Sequence, residues 1–335
     1  MVRYRQLSLE ERCTIACLHE GGSSLRQIAS TLDRPASTIS RELKRNGGSS
    51  VGYKPAYAQE QARARRWSGS RLERDEALRD AVLARLAIGW SPEQVAGRLA
   101  LETGQAVISC ETIYRFIYAQ IRRTDDFAWR RYLPRAKYKR GRRRRRGGSP
   151  VQLIPHRTGI AARPPEAADR AQPGHWEGDT MLFAAYGQVI LAAHERSSRA
   201  TLIARQPNKA AAPAADQLAR WLAPLPPQLR QTITFDNGTE FARHHRLAQH
   251  GIATFFCDTH SPWQKGGVEN AIGRLRRYLP RATNLNSLQP GHITAAARAY
   301  NNTPRKCLDY QTPAEALSKQ LLHFKCESTS RPTPG

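Results

Sequence analysis

Carboxylates are scarce in this chain of 335 residues: 28 Asp and Glu stand against 53 Lys and Arg, for a formal net charge of +25 and a pI near 10.6. That imbalance points to a polyanionic partner, because neutralising phosphates releases their condensed counterions. The larger share of the excess lies in the first 150 residues. Cysteine is sparse as well. The six (Cys13, Cys17, Cys110, Cys257, Cys307 and Cys326) form no CxxC pair and no ligand-like pairing with histidine. Reduced thiols in a reducing compartment are therefore expected, with no zinc. Cys13 and Cys17, four apart on one helical face, are expected in a core. No apolar run approaches the roughly 18 residues of a membrane span and no signal-peptide pattern is present, so neither a membrane nor an export role is expected. What remains, 40% hydrophobic residues, is enough for real cores, and the length fits two or three domains of roughly 100–200 residues each.

The chain opens on helical signals. Ser8 with Glu11 has the capping-box pattern, and Leu9, Ile15, Ala16 and Leu18 follow at helical spacing up to Gly21-Gly22, which can stop a helix. Ser24 with Gln27 repeats the box ahead of a short helix over residues 25–32. After Asp33-Arg34-Pro35, a third helix over about 36–45 turns Ile39 and Leu43 inward and leaves Ser37, Thr38, Arg41, Lys44 and Arg45 outward. Short polar and basic side chains on an exposed helix are suited to base edges and phosphates. Residues 1–50 thus read as an all-α helix-turn-helix DNA-binding domain, the plainer alternative being a three-helix packing unit with a solvated basic face.

Residues 51–135 read as a helical region. Residues 56–67 and 72–88 look like linker helices without chemistry. Ser91-Pro92-Glu93-Gln94 opens a helix with Val95 and Leu99 inward, and Ser109 caps another with Ile113, Ile117 and Ile121 inward and Glu111, Thr112 and Arg115 outward. A second helix-turn-helix and plain two-helix packing without DNA contact fit this pair about equally. Residues 136–173 form a basic, Pro-rich linker. Its run Arg140-Gly141-Arg142-Arg143-Arg144-Arg145-Arg146 repels itself until phosphate neutralises it, which places Arg142, Arg143 and Arg144 on DNA.

From Gly174 the pattern changes. Residues 176–183, 188–193 and 199–205 read as three strands of an antiparallel meander. A helix over 211–223, a strand over 232–235, a helical stretch over 238–250, a strand over 252–256 and a long helix over 264–279 follow, then helical segments over 288–302 and 313–322. The order predicts an α/β catalytic domain over 174–325 with a mixed sheet and helices packed on it. Residues 326–335 read as a disordered tail.

Asp179 in the first of these strands, Asp236 at the end of the fourth and Glu269 on the long helix could meet in space. Three such acids suit Mg²⁺, which takes hard oxygen ligands, and a pair of such ions roughly 3.5–4 Å apart drives phosphodiester chemistry. Each acid alone also has a structural reading: a turn acid, an Asp-Asn-Gly turn, a surface residue. Glu177, Glu240 and Asp258 lie close by as competitors, so the residue pattern leaves the assignment open. Lys265, and Arg276 two helical turns after Glu269, are expected on DNA phosphates.

The segments Gly174-His175-Trp176-Glu177-Gly178-Asp179, Phe235-Asp236-Asn237-Gly238-Thr239-Glu240-Phe241 and Ser261-Pro262-Trp263-Gln264-Lys265-Gly266, the last continuing to Glu269-Asn270, resemble the signatures of DDE-type bacterial insertion-sequence transposases of the insertion-sequence-thirty family. So do Leu7-Ser8-Leu9-Glu10-Glu11-Arg12, Ser40-Arg41-Glu42-Leu43-Lys44-Arg45-Asn46, and Tyr300-Asn301-Asn302-Thr303-Pro304-Arg305-Lys306 followed by Thr312-Pro313. The resemblance spans nearly the whole chain in order. It implies an RNase H-like core in which Asp179, Asp236 and Glu269 are the catalytic acids and hold Mg²⁺ or Mn²⁺. It also implies recognition of terminal inverted repeats on double-stranded DNA, strand cleavage and strand transfer. Joining two element ends calls for a homo-oligomer, at least a dimer, in the bacterial cytoplasm at the nucleoid. The chain departs from the family pattern at Gly267-Val268, where small polar residues are usual, and at Thr303, where arginine is common. A catalytically inactive DNA-binding regulator derived from a transposase is the alternative, told apart by end binding without metal-dependent nicking.

Overall fold

The computed structural model describes residues 6–48, 52–65, 69–133, 154–185, 187–259 and 261–329. Their packing divides the chain into two compact units, Met1–Pro92 with Ser109–Ala136, and Glu93–Ile108 with Lys137–Gly335.

The first unit is helical. At the start of α1 (Leu9–Glu20) the Ser8 hydroxyl accepts the Glu11 N–H at 3.1 Å, and the Glu11 carboxylate accepts the Ser8 N–H at 2.6 Å. Ser24 and Gln27 make the same reciprocal cap on α2 (Leu25–Thr31), and α3 (Ala36–Asn46) follows. Each cap satisfies N–H groups that a helix start leaves unpaired. Ile15, Ile28 and Ile39, all fully buried, bring the three helices onto one core with Leu7, Tyr53 and Ala58. Burial of each such side chain contributes about 1.5–3 kcal/mol. Beside that core lies an ion pair with no local sequence signal: buried Arg12 donates through Nε to Glu42 Oε1 at 2.8 Å, and the Tyr53 hydroxyl donates to the same oxygen at 3.1 Å. Burial, reinforced by Glu42, pushes the Tyr53 hydroxyl up.

A short ladder of β1 (Gly47–Gly48) and β2 (Gly52–Tyr53) leads to α4 (Pro55–Arg65), α5 (Arg71–Arg74) and α6 (Glu76–Ala87). The single helix expected over 72–88 is broken at Asp75, whose carboxylate accepts the Leu78 N–H at 2.9 Å and so caps α6 instead of continuing α5. Cys13 and Cys17 are exposed, contrary to expectation, because α1 buries the line through Arg12 and Ile15 instead. Cys13, Cys17, Cys110, Cys257 and Cys307 are free thiols. The helical pair expected over 91–121 is divided between the units: all but the first residue of α7 (Pro92–Thr103) belongs to the second, while α8 (Cys110–Thr124), with Ile113, Ile117 and Ile121 buried, belongs to the first.

The second unit is built on a five-stranded mixed sheet. After α9 (Glu166–Asp169) come β3 (His175–Leu182), β4 (Val189–Glu195) and β5 (Thr201–Gln206), then α10 (Ala211–Leu222), β6 (Thr232–Phe235), β7 (Ala253–Phe256), α11 (Gly266–Leu275), α12 (His292–Asn301) and α13 (Pro313–Thr329). The spatial order is β5-β4-β3-β6-β7. β3, β4 and β5 form the expected antiparallel meander, and β6 and β7 run parallel to β3. Side chains alternate between the two faces. Trp176, Ile233 and Phe235 pack with Leu218 and Leu222 of α10 on one face. Met181, Phe183 and Ile190 pack with Ala271 and Leu275 of α11 and Tyr300 of α12 on the other. Glu177 and Asp179 share the parity of Met181 and so belong to the α11 side.

Three expectations differ in detail. Residues 238–250 form two 3₁₀ turns, Thr239–Phe241 and His244–His250, where a continuous helix was expected. Long-range contacts override the local preference: Phe241 stacks on Phe235 at 4.3 Å, and His244 bonds Thr254 at 2.7 Å and the Pro155 carbonyl at 3.0 Å. The described part of the expected linker, 154–173, is packed: Ile154 is buried in the α10-side core, and the Thr158 carbonyl accepts the Phe256 N–H at 2.9 Å. Arg142, Arg143 and Arg144 lie outside the described residues. α13 runs to Thr329, into the segment expected to be disordered, and 330–335 lie outside the described residues. Among the described residues no helix is long and apolar enough to cross a membrane.

α7 is anchored inside the second unit by partners more than two hundred residues away in sequence. Arg98 grips Glu315 in a bidentate pair at 2.6 and 2.7 Å, Gln94 donates to the Pro304 carbonyl at 2.8 Å, and Lys306 pairs with Glu93 at 2.9 Å. The hydrogen bonds from Arg98 hold the Glu315 carboxyl down to about 2. A carboxyl depressed in the folded state adds stability above its unfolded range and loses it as pH falls toward the folded value. Thermal unfolding followed from about pH 5 down to pH 2 should therefore cost wild type more stability than Arg98→Ala, which has already lost the pair.

Candidate active site

The parallel pairing of β3 and β6 sets Glu177 opposite Thr234. Two residues further along each strand, on the same face, stand Asp179 and Asp236. One side chain joins them: Lys265 Nζ lies 3.0 Å from Asp179 Oδ2 and 2.7 Å from Asp236 Oδ2. Lys265 ends the 3₁₀ turn Pro262–Lys265 just before α11, and its side chain is 6% exposed, against 17% for Asp179 and 42% for Asp236. Burial raises the Asp179 carboxyl; the ammonium opposes that rise and the Asp236 charge adds to it. Burial alone would lower the Lys265 ammonium, but the two carboxylates outweigh it and the net direction is up. The other oxygens are held locally, Asp179 Oδ1 by the Thr180 N–H at 2.7 Å and Asp236 Oδ1 by the Gly238 N–H at 3.1 Å.

The donor set suits a hard divalent cation, and the ammonium marks a place where a positive charge is already stabilised between the two acids. Glu269 stands exposed in the first turn of α11. Among the described residues no group of three or more His, Cys, Asp or Glu side chains is gathered closely enough to hold a metal. The structure thus brings two of the three expected acids together and leaves the third on the adjoining helix.

The neighbouring acids have other partners. Glu177, fully buried, pairs with Arg196 through Oε1 and accepts the Val268 N–H through Oε2 at 2.8 Å. It thereby ties the start of α11, one residue before Glu269, to the strand that carries Asp179. An acid at that place also complements the positive end of the helix dipole. Only glycine fits at 267: a Cβ there would lie 2.8 Å from Glu177 Oε2 and 2.9 Å from His194 Cδ2. That contact gives the sequence departure at Gly267 a physical reason. Gly178 is constrained in the same way, since a Cβ would stand 2.5 Å from the Phe235 ring. Glu240, buried, accepts the Thr180 hydroxyl at 2.9 Å and has Lys209 3.3 Å from its other oxygen, too poorly aligned for a hydrogen bond. Asp258 is exposed and closes a loop with Gln264, receiving its Nε2 at 2.8 Å. His194 is buried against Thr201 at 2.9 Å, and burial, followed by the surrounding arginines, lowers it to about 3, so it is neutral.

Both cations expected on DNA here have partners within the chain. Lys265 is enclosed by the acid pair, and Arg276 donates to the Leu182 carbonyl at 2.8 Å with its guanidinium 4.7 Å from the Phe183 ring centre. In the first unit the expected face of α3 is confirmed as a surface: Ser37, Arg41, Lys44 and Arg45 are exposed and Thr38 is half-buried. Thr38, Arg41 and Arg45 line a cleft together with Arg12 and Arg65. Sequence reasoning missed His194 and Arg196 and the pairing of Arg12 with Glu42, which follow no local period.

Comparison with known proteins fits this division. Residues 3–46 match the model of a helix-turn-helix domain. Over 329 residues the chain is 38% identical to the transposase for insertion sequence element IS1086 of Cupriavidus metallidurans, covering 96% of each chain. It is 35% identical to the transposase InsI for insertion sequence element IS30A of Escherichia coli, over 93% of this chain and 83% of that protein. It is 34% identical to the transposase for insertion sequence element IS4351 of Bacteroides fragilis, over 95% and 97%.

Gly267→Ala should cost about 1–3 kcal/mol, the usual range for overpacking, while Gly273→Ala on the same helix, where a Cβ meets nothing within 4 Å, should gain up to about 1 kcal/mol from helix propensity. Urea unfolding midpoints of the two variants check this; equal shifts would mean that the contact to Glu177 does not constrain α11.

Proposed function

Because the chain belongs to the IS30 family of insertion-sequence transposases, we propose that it binds the terminal inverted repeats of its own insertion sequence and carries out metal-dependent strand cleavage and strand transfer at those ends. The observation that supports this best is the acid pair Asp179–Asp236 on adjacent strands, with Glu269 on the helix whose first turn is bonded to the same sheet. The strand order, three antiparallel strands followed by two parallel ones, favours an RNase H-like reading of the second unit.

In this reading Asp179, Asp236 and Glu269 hold Mg²⁺ or Mn²⁺, which when bound supplies charge neutralisation at the scissile phosphate and a water of lowered pKa. β3 and β6 fix the first two carboxylates, and the Glu177 contact to the Val268 N–H fixes the approach of α11. Hydrolysis joins a water oxygen to phosphorus, breaks the P–O3′ bond and leaves the proton on the freed 3′ oxygen. That hydroxyl then attacks a phosphorus of a second strand, and no covalent link between protein and DNA forms. Ser37, Thr38, Arg41, Lys44 and Arg45 on α3 read and grip the ends, with Arg142, Arg143 and Arg144 as further phosphate contacts. Joining two ends calls for at least two copies of the chain.

A supercoiled plasmid carrying both ends tests the assignment. Asp179→Ala, Asp236→Ala and Glu269→Ala should each abolish nicking and joining in Mg²⁺ while end binding, measured at fixed salt, is retained. Normal cleavage by all three would overturn it. The enclosure of the acid pair by Lys265 favours a second reading, a DNA-binding regulator without catalysis; tight end binding by wild type with no nicking in Mg²⁺ or Mn²⁺ would select it.

A further inference from the structure

Two carboxylates whose oxygens lie within 3.0 Å of one nitrogen repel each other wherever that nitrogen is absent. Water screens the repulsion weakly on the Asp179 side, which is largely enclosed, and better on the Asp236 side, which is open. A lysine buried to this degree would ordinarily be unfavourable as a cation. Here the charge is retained because both acids face it, and both of its ion pairs are to these acids. The ammonium is thus the internal counter-ion of the pair.

A divalent cation held by the same two Oδ2 atoms and an ammonium within 3.0 Å of both cannot share the space, since like charges at that separation repel strongly. One must leave for the other to bind. The backbone around Lys265 allows the lysine to be the one that leaves. It is the last residue of a 3₁₀ turn, which joins α11 through Gly266, a position where an added Cβ would meet nothing within 4 Å. Trp263, two residues earlier in that turn, is 73% exposed, so the turn is not pinned there by apolar packing.

We infer that Lys265 is a positioning residue that holds Asp179 and Asp236 together in the metal-free protein and is exchanged for the divalent ion when the site is loaded. The inference rests on the proposed metal site at these acids and adds to it a competition. The apparent metal affinity is the intrinsic one divided by the preference of the acid pair for its own ammonium. In the metal-free protein the same contact keeps both carboxylates aimed at one point, so that less rearrangement remains when the ion arrives.

The full chain can be titrated with Mn²⁺, following free Mn²⁺ by electron paramagnetic resonance and thermal unfolding in parallel. Lys265→Met should bind Mn²⁺ at least about tenfold more tightly than wild type. It should unfold at a lower temperature than wild type in chelator, and Mn²⁺ should close that gap. Lys265→Arg, which keeps a cation, should stay near wild type. Lys209→Met, which removes a nearby charge that touches neither Asp179 nor Asp236, should also stay near wild type and so separates exchange from a general loss of positive potential. If Lys265→Met does not fold without metal, Lys265→Gln carries the comparison. Affinity of Lys265→Met within about twofold of wild type, or weaker, would overturn the exchange. An Asp236→Asn variant that binds Mn²⁺ as tightly as wild type would instead overturn the metal site, and the exchange with it.

Discussion

Two acids on neighbouring strands share a single buried ammonium, and the second unit is arranged so that they must. The pairing of β3 with β6 fixes the separation of Asp179 and Asp236, while the turn ahead of α11 delivers Lys265 between them. Glu177 then bonds the next turn of the chain back to β3. Shifting the β3–β6 register by one residue would move Asp179 to the α10 face, since side chains alternate strictly along a strand. Register, turn and helix start are therefore not independent: each is correct only if the other two are.

Both units use the same means of fixing one element against another. Arg12 with Glu42 in the first, joining α1 to α3, and Arg196 with Glu177 in the second, joining the end of β4 to β3, are buried ion pairs. Removing two charges from water costs nearly as much as their attraction returns, so such pairs add little net stability. Their effect is on uniqueness. A misplaced α1 would leave Arg12 or Glu42 charged and dry, and a misplaced α11 would leave Glu177 with one oxygen unbonded. The apolar clusters around Ile15 and around Trp176 supply the driving force for collapse, and the ion pairs select among the collapsed arrangements.

Much of this was legible in the sequence wherever the signal was local. Ser8 with Glu11 and Ser24 with Gln27 announced two helix starts at single-residue resolution because the capping bonds span only three residues. The strand pattern over residues 176–183 placed Asp179 in a strand, and the outward set on α3 followed from the inward positions of Ile39 and Leu43. What was not legible depends on partners far along the chain. A lysine in a basic chain reads as surface, and nothing local says that Lys265 is enclosed. Glu177 looked like a rival to Asp179 until its bond to the Val268 N–H, 91 residues on, showed it to be a brace. The helix expected over 238–250 was lost to Phe235, Thr254 and Pro155, none of which a helical period can see.

The placement of α7 bears on how the molecule is made. The segment Glu93–Ile108 belongs to the second unit, yet it is synthesised between the two parts of the first. Its partner at Pro304 emerges 210 residues after Gln94. At ribosomal rates of roughly 5–20 residues per second, that is a wait of roughly 10–40 s. During that interval the helical first unit has all its own sequence and can close, while α7 is already made but has nothing to dock on. The unit that carries the helix-turn-helix domain can thus be complete while the unit with the acid pair is still held open by its own unfinished chain.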